Sequence, residues 1–163
     1  MPNTYTQIYI QIVFAVKGRQ SLIKSENRVE LQKYITGIVE NRNTKMICIY
    51  CMPDHVHILI GLKPTTHISD LVRDIKAGSS KFINDSGWVR GKFNWQEGFG
   101  AFSYGHSQLD TIINYINNQE EHHRRKSFKD EYHEFLERFN VAYEEKYLFE
   151  WLDERQGAPT ELN

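Results

Sequence analysis

The alternation of two hydrophobic patterns along the chain constrains its fold more than any other feature. Apolar residues at every second position are typical of a strand, and apolar residues three and four positions apart are typical of a helix that packs on one side. The strand pattern occupies residues 5–16 and 55–62, and the apolar segment 45–51 and the aromatic, glycine-containing segment 93–104 are interpreted as containing two further strands. The helical pattern occupies residues 25–42 and about 67–85, which lie between these strands.

The order strand, helix, strand, strand, helix, strand predicts an α+β protein. It corresponds to the ferredoxin-like βαββαβ arrangement, an antiparallel sheet with helices on one face. Additional C-terminal helices are predicted over about 107–123 and from Ser127 onward. We expect a single domain over residues 1–151, followed by a polar tail over residues 152–163.

Composition and charge limit the classes of protein to consider. Of the 163 residues, 40% are hydrophobic and 25% are charged, which is ordinary for a globular protein. No apolar run approaches the roughly 20 residues of a membrane span, and the first residues do not resemble a secretion signal, so we expect a cytoplasmic protein. Residues 1–126 carry 16 basic and 11 acidic side chains, whereas residues 127–163 carry 4 and 10. The positive first part favours an anionic partner such as nucleic acid.

Two histidines share one face of the third predicted strand. In Asp54-His55-Val56-His57 the side chains alternate, so His55 and His57 point to one side and Val56 points to the other. Two imidazoles on one face can bind one metal ion. A His-x-His pair alone is compatible both with a metal site and with two packed histidines.

The two cysteines, Cys48 and Cys51, form a CxxC pair. Such pairs occur in redox sites and in zinc sites. A redox pair normally begins a helix, whereas these cysteines lie in a predicted strand that directs them to opposite faces. We therefore expect two reduced, buried thiols. A structural zinc site built from both cysteines and both histidines is the alternative.

The helix predicted over residues 107–123 places a phenol and an amide on neighbouring turns. Its core-facing stripe is aliphatic, and Tyr115 and Gln119 lie one turn apart along the flank of that stripe, with His122 continuing the same edge. A tyrosine in such a position is also typical of simple packing. The segment that begins with Ser107 resembles a capping box, which predicts that the helix starts there.

Several motifs together resemble one family. The motif Asp54-His55-Val56-His57 is followed by Trp95-Gln96-Glu97-Gly98, by Gly100-Ala101-Phe102-Ser103 and by the helical segment from Tyr115 to His123. This combination resembles the single-tyrosine HUH transposases of small bacterial insertion sequences, the type called transposase A. The resemblance covers the chain from Tyr5 to about Trp151. Its most specific part is the pairing of His-x-His with a later Tyr-x-x-x-Gln.

The resemblance implies an enzyme that acts on single-stranded DNA. Members of the family recognise DNA hairpins at the ends of the element, cleave one strand through a 5′-phosphotyrosine intermediate and then rejoin strands. At the matching positions, Tyr115 is the catalytic nucleophile, and His55, His57 and Gln119 are ligands of a divalent metal ion, Mg²⁺ or Mn²⁺. The family also implies a homodimer, in which the histidines of one subunit often act with the tyrosine of the other.

The chemistry implied by the resemblance requires these residue types. A phenol with a pKa of about 10 is almost fully protonated at neutral pH, so it needs a nearby cation or base. Imidazole nitrogens and an amide oxygen can hold such a cation and leave positions open for a phosphate oxygen. The covalent intermediate conserves the phosphodiester energy, and the sequence has no Walker-type loop, so we expect no nucleotide cofactor. His122 and Asp54 are the nearest candidate bases, although we expect solvated surface positions for both.

Basic and aromatic residues along the chain are candidates for DNA contacts. Basic groups suit phosphates, and aromatic rings suit stacking on unpaired bases. An amphipathic helix followed by a packed hydrophobic hairpin explains most of the same residues equally well. The candidates are Arg73, Lys76, Lys81, Arg90, Lys92, Trp95, Arg124 and Arg125.

Two other functions are compatible with parts of this pattern. A host-retained nuclease derived from a transposase, which processes repeated palindromes, would carry the same catalytic residues. A non-catalytic RNA-recognition module would have the same βαββαβ order. Against the latter, the first strand lacks the aromatic motif expected of such a module.

Overall fold

A four-stranded antiparallel sheet forms the centre of the protein. The computed structural model describes residues 3–148. The strands are β1 (Tyr9–Ala15), β2 (Lys45–Cys51), β3 (His55–Gly61) and β4 (Gly100–Tyr104). Their order across the sheet is β2-β3-β1-β4, and all neighbours are antiparallel. This order confirms the predicted ferredoxin-like arrangement, in which the first and third strands occupy the centre.

Helices α1 (Arg28–Asn41) and α2 (Ile68–Ser86) connect the strands and cover one face of the sheet. Their apolar stripes are buried in one core with Phe14 of β1 and Ile58 of β3. The residues on either side of these two along each strand point to the other face of the sheet. Helix α2 ends at Gly87, whose positive φ of 67° provides the left-handed conformation of a helix C-cap. This layer follows directly from the hydrophobic periodicity.

The C-terminal helices cover the other face of the sheet. They are α3 (Leu109–Asn117), α4 (Gln119–His123) and α5 (Phe128–Arg138). Ile116 of α3 packs with Leu59 of β3, and Phe135 of α5 stacks on Phe102 of β4 with 5.2 Å between ring centroids. The two helices of the βαββαβ core thus lie on one face, as predicted, and the added helices cover the other face because their apolar stripes also need a surface to cover.

The helix predicted over residues 107–123 is divided into two. It breaks at Asn118, whose side chain donates a hydrogen bond to the Asn114 carbonyl at 2.8 Å, the carbonyl that also accepts from the Asn118 backbone amide at 3.1 Å. Ser107 lies inside a preceding 3₁₀ turn, and the capping contact is instead made by Gln108 Oε1, which accepts from the Gly105 amide at 2.8 Å. The break matters because it sets the direction of α4 independently of α3.

The start of α5 was predicted correctly. Ser127 Oγ accepts a hydrogen bond from the Asp130 amide at 3.1 Å, the usual role of an N-cap serine. The predicted boundary near residue 151 and the polar tail over 152–163 lie outside the described residues. Among the helices of residues 3–148, none combines the length and the apolar character required to cross a membrane.

The two cysteines are buried free thiols, as predicted. Cys48 lies opposite Leu59 and Cys51 lies opposite Val56, so the two side chains occupy opposite faces of the sheet. Burial raises the pKa of Cys48 to about 11 and that of Cys51 to about 12. Because one metal ion cannot bind thiols on both sides of a sheet, this geometry contradicts the alternative of a zinc site that uses both cysteines.

Candidate active site

Three elements bring polar side chains together beneath the C-terminal helices. Strand β3 contributes His55 and His57, α3 contributes Tyr115, and α4 contributes Gln119. His55 Nε2 lies 3.5 Å from Gln119 Oε1, and the rings of His57 and Tyr115 are 6.3 Å apart. The four site residues predicted from the sequence thus lie together within a single chain.

The Nδ1 atoms of both histidines face groups that can only accept a hydrogen bond. His55 Nδ1 donates to Asp54 Oδ1 at 2.7 Å, and His57 Nδ1 donates to Gln11 Oε1 at 2.7 Å. The Gln11 amide is oriented by its own donation to the Tyr104 hydroxyl, at 2.8 Å. Because Nδ1 carries the proton in each ring, each neutral ring presents an Nε2 lone pair, and both Nε2 atoms face the same space.

Asp54 is held in place by a second partner. Its Oδ2 lies 2.7 Å from Nη2 of Arg19, and both side chains are largely buried. Burial raises the pKa of Asp54, but the adjacent His55 ring and the Arg19 guanidinium outweigh burial and hold that pKa well below its usual range. Asp54 therefore stays ionised and orients His55, and the solvated surface position expected for it was wrong.

Two residues that were not predicted complete the cluster. Glu131 on α5 is 2% exposed, and its Oε1 lies 3.1 Å from His57 Nε2 and 3.2 Å from His123 Nε2. His123 Nε2 also lies 3.1 Å from Gln119 Oε1. The ligand atoms of His55, His57, His123 and Glu131 all lie within 4.8 Å of one another.

Glu131 has a signal in the sequence. It follows Phe128 by three residues and precedes Phe135 by four, so it interrupts the apolar stripe of α5 at a position that packs against the sheet. A charged residue at a buried helical position is rare unless it is paired. This observation alone was sufficient to mark Glu131 as a candidate.

His123 lies four residues after Gln119, one helical turn further along the same stripe. We expected His122 to continue this edge, at a solvated position. In the structure its half-buried ring instead stacks on the Tyr115 ring, with 4.4 Å between centroids, while His123 reaches the cluster. Positions 115 and 122 lie seven residues apart, about two helical turns, which is the spacing that allows their rings to stack.

The Tyr115 hydroxyl points into the cluster and donates a hydrogen bond to Glu131 Oε2. Burial and the negative charge of Glu131 raise the pKa of Tyr115, so the phenol is protonated in this arrangement. A cavity of about 330 Å³ between α3 and α5 adjoins this hydroxyl, within the size range of ligand sites. Besides Tyr104, Tyr115 and Glu131, its polar lining residues are Ser107, Gln108, Thr111, Glu134 and Arg138.

The donor atoms of the cluster fit a divalent metal ion. In neutral rings the Nε2 atoms of His55 and His57 are acceptors, and so is Gln119 Oε1. Acceptors do not hydrogen-bond to one another, so their convergence requires a positive charge between them. Burial lowers the pKa of His55, which disfavours an imidazolium as the source of that charge. Nitrogen and oxygen donors in this number are typical of a divalent cation site.

Three of the candidate DNA-binding residues lie on α2, on the opposite side of the sheet from this cluster. Arg73 pairs with acidic neighbours on α2, and Lys81 pairs with Asp85. Lys76 donates to the carbonyls of Gln96 and Gly98 at 2.8 and 2.7 Å. These three basic groups are already engaged within the protein.

Trp95 belongs to the core and not to a DNA surface. It is 8% exposed, its ring packs at right angles against Phe14 and Phe93, and its Nε1 donates to Ser79 Oγ at 2.8 Å. The prediction that Trp95 stacks on bases was therefore wrong, because the ring is covered by protein.

The remaining basic candidates are exposed. Arg90 and Lys92 lie in the connection from α2 to β4. Arg124 and Arg125 directly follow α4, on the side of the sheet that carries the histidines.

Sequence comparison places the chain in a known family. The profile of the family described as transposase IS200-like matches residues 4–119, which is well over half of the chain. The chain therefore belongs to the IS200-like transposase family. This confirms the resemblance drawn from the motifs and does not favour an RNA-recognition module.

Two curated relatives show how far the similarity extends. The chain is 28% identical over 75 residues to the ISDra2 transposase TnpA of Deinococcus radiodurans, an alignment that covers 46% of this chain and 54% of that protein. It is 27% identical over 94 residues to the transposase for insertion sequence element IS200 of Salmonella typhimurium, which covers 50% of this chain and 62% of that protein. The chain thus aligns with little more than half the length of these relatives.

Two solved structures share the fold. One is a candidate transposase from Deinococcus radiodurans R1, with a TM-score of 0.58 and 21% identity over 73% of this chain and 95% of that chain. The other is a REP-associated tyrosine transposase bound to a REP hairpin, with a TM-score of 0.53 and 18% identity over 76% of this chain and 73% of that chain.

Proposed function

We propose that this chain cleaves and rejoins single-stranded DNA through a 5′-phosphotyrosine intermediate and recognises hairpins at the ends of an insertion sequence. The observation that carries the proposal is the convergence of Tyr115, His55, His57 and Gln119 within one chain. The Tyr115 hydroxyl is bonded to the Glu131 carboxylate, which also faces His57. Membership of the transposase family supports the reaction, and the hairpin bound to a structural neighbour supports this class of substrate.

In the proposed cleavage step, the Tyr115 oxygen attacks the scissile phosphorus. A bond forms between the phenol oxygen and phosphorus, the bond from phosphorus to the 3′ oxygen breaks, and the 5′ phosphate stays on the tyrosine. The phenol proton leaves through the hydrogen bond to Glu131 Oε2, and the departing 3′ oxygen takes up a proton from water. Attack by another strand's 3′-hydroxyl then restores a phosphodiester and releases the phenol.

The residues around Tyr115 hold the reacting groups in place. A divalent ion, Mg²⁺ or Mn²⁺, held by His55, His57 and Gln119 would polarise the phosphate and offset the charge that develops during attack. Asp54 and Gln11 fix the two imidazole rings with their Nε2 atoms facing that position.

The cavity beside Tyr115 is where we place the DNA that flanks the scissile phosphate. It lies between α3 and α5 and opens next to the phenol. Arg124 and Arg125 are exposed on the same side and are suited to the phosphate backbone. Arg90 and Lys92 stay candidates for contacts with a hairpin, because they are exposed and away from the catalytic cluster.

The test is the formation of a covalent adduct between the full chain and DNA. The chain is incubated with Mn²⁺ and a pool of single strands that carry a hairpin flanked by random sequence, and adducts are resolved on a denaturing gel. We expect an adduct that a chelator prevents and that Tyr115→Phe reduces by at least about 10³-fold. Tyr132→Phe, a matched control at another buried tyrosine, should keep it. An adduct that survives Tyr115→Phe would rule out this nucleophile.

Mixing two inactive variants tests whether one chain supplies the whole site. Tyr115→Phe retains the histidines, and His57→Ala retains the tyrosine. If each site uses its own tyrosine, the mixture forms no adduct. Recovery of the adduct would mean that subunits share the site, as in the homodimer expected from the resemblance, and would contradict assembly within one chain.

A further inference from the structure

The ligand atoms of Glu131 and His123 lie close to those of His55, His57 and Gln119, the metal ligands of the proposed function. Glu131 Oε1 lies 3.1 Å from His57 Nε2, 3.2 Å from His123 Nε2 and 3.8 Å from His55 Nε2. The three ring nitrogens are thus grouped around one carboxylate oxygen. These atoms come from β3, α4 and α5, so only the folded chain creates the arrangement.

We propose that Glu131 and His123 are metal ligands beside His55, His57 and Gln119, and that the resulting three imidazoles and one carboxylate make the site one for a divalent transition metal in preference to Mg²⁺. The inference concerns the site of the proposed function and rests on it. It adds two ligands to that site and selects between classes of metal.

The spacing of the four ligand atoms suits one ion. Bonds from such ions to imidazole nitrogen and carboxylate oxygen are about 2.0–2.2 Å, so ligands on opposite sides of an ion lie about 4.0–4.4 Å apart. The four atoms lie within 4.8 Å of one another. Movements of a few tenths of an ångström, about the size of a small rotamer adjustment, bring them to bonding distance.

The buried carboxylate also calls for a compensating positive charge. An ionised carboxylate removed from water costs several kcal/mol unless it is paired. Within residues 3–148, the ion-pair partners of Glu131 are the three histidines, and its Oε2 accepts from the Tyr115 hydroxyl. Glu131 Oε1 and His57 Nε2 face each other at 3.1 Å, and both atoms are potential metal ligands. A metal ion satisfies both atoms.

The ligand types select the class of metal. Mg²⁺ prefers oxygen ligands and keeps several of its waters, whereas imidazole suits first-row transition metals. Three imidazoles around one carboxylate therefore favour a transition metal. Mn²⁺ is the most stringent probe of this preference, because it is the weakest binder of the first-row series.

Calorimetric titration of the metal-free full chain with MnCl₂ and with MgCl₂ tests the proposal without DNA. We expect one Mn²⁺ per chain, bound at least about tenfold more tightly than Mg²⁺. Glu131→Gln keeps the shape of the side chain and should weaken Mn²⁺ binding by at least about tenfold. Glu137→Gln, at an exposed position of the same helix, is the matched control and should change Mn²⁺ binding by less than about twofold.

Equal Mn²⁺ affinities for wild type and Glu131→Gln would overturn the proposal, and so would equal affinities of wild type for Mn²⁺ and Mg²⁺. Thermal unfolding in chelator shows whether Glu131→Gln is folded. If it is not, His123→Asn carries the same test, and it too should bind Mn²⁺ more weakly than wild type. Tyr115→Phe should still bind Mn²⁺. Absence of a DNA adduct from wild type that binds Mn²⁺ would overturn the proposed function and leave the metal ligands in place.

Discussion

The two faces of the central sheet are equally buried but differ in chemistry. Under α1 and α2, β1 and β3 present Phe14 and Ile58, which are fully buried apolar residues. Under α3 to α5, the same two strands present Gln11 and His57, which are also fully buried. Burial therefore does not distinguish the faces. What distinguishes them is that the polar side chains of the second face bond to one another, which offsets the cost of removing them from water.

This difference shows how one strand can serve packing and the candidate site at once. In β3 the odd positions from His55 to Leu59 face the candidate site, and the even positions face the apolar core. A slip of one residue in strand pairing would exchange the two sets and bury the histidines against α1 and α2. The apolar face therefore keeps the register on which the polar face depends.

Removing an apolar side chain from the packing face should have the largest effect. Ile58→Ala should lower the free energy of unfolding by about 2–5 kcal/mol, because it leaves a cavity between β3 and the helices. Its side chain points away from the histidines, so the folded fraction should still form the DNA adduct. Urea unfolding and adduct yield per folded molecule check both expectations. Ile8→Ala, at a position that is 36% exposed, is the milder control.

A loss of adduct greater than the loss of folded Ile58→Ala protein would show that the faces are coupled. In that case packing would set the positions of the histidines directly, and not only through the strand register.

The packing face was predictable from sequence because its signal is local. Alternation along residues 5–16 and 55–62, together with helical stripes between them, predicted the strands and their order. The break at Asn118 was not predictable in this way, since the hydrophobic pattern carries no information about the hydrogen bonds that a polar side chain makes within one turn. That α3 to α5 cover the second face was not predicted, because a local pattern predicts the apolar stripe of a helix but not the surface on which that stripe packs.

The polar face was predictable only in part. Tyr115, Gln119 and the two histidines were found because their spacing forms motifs within short segments. Glu131 lies 74 residues from His57 in sequence, and its role depends on how α5 packs on the sheet. Such a partner leaves only an indirect signal, a charged residue within an apolar stripe.

Changing the residue that orients a histidine should have an intermediate effect. Asp54→Asn keeps the shape but removes the charge that fixes His55 through Nδ1 and pairs with Arg19. We expect Mn²⁺ affinity to fall by about 10–100-fold, with little change in the packing face. Calorimetric titration measures the affinity, and Asp85→Asn on the surface of α2 is the matched control. Unchanged affinity in Asp54→Asn would mean that the His55 ring is held by packing alone.

The smallest expected effect is on DNA affinity, and it shows along which face of the protein the DNA strand lies. Arg125 is exposed on the side of the candidate site and has a distant partner, Glu121 at 3.9 Å, whereas Arg73 is exposed on α2. Arg125→Gln should reduce the slope of log affinity against log salt by about 0.7, the value for one lost contact with a single strand. Arg73→Gln should leave the slope unchanged. Fluorescence anisotropy over a range of NaCl concentrations gives both slopes. The reverse result would place the DNA against α2, and the packing face would then carry binding while the polar face carries catalysis alone.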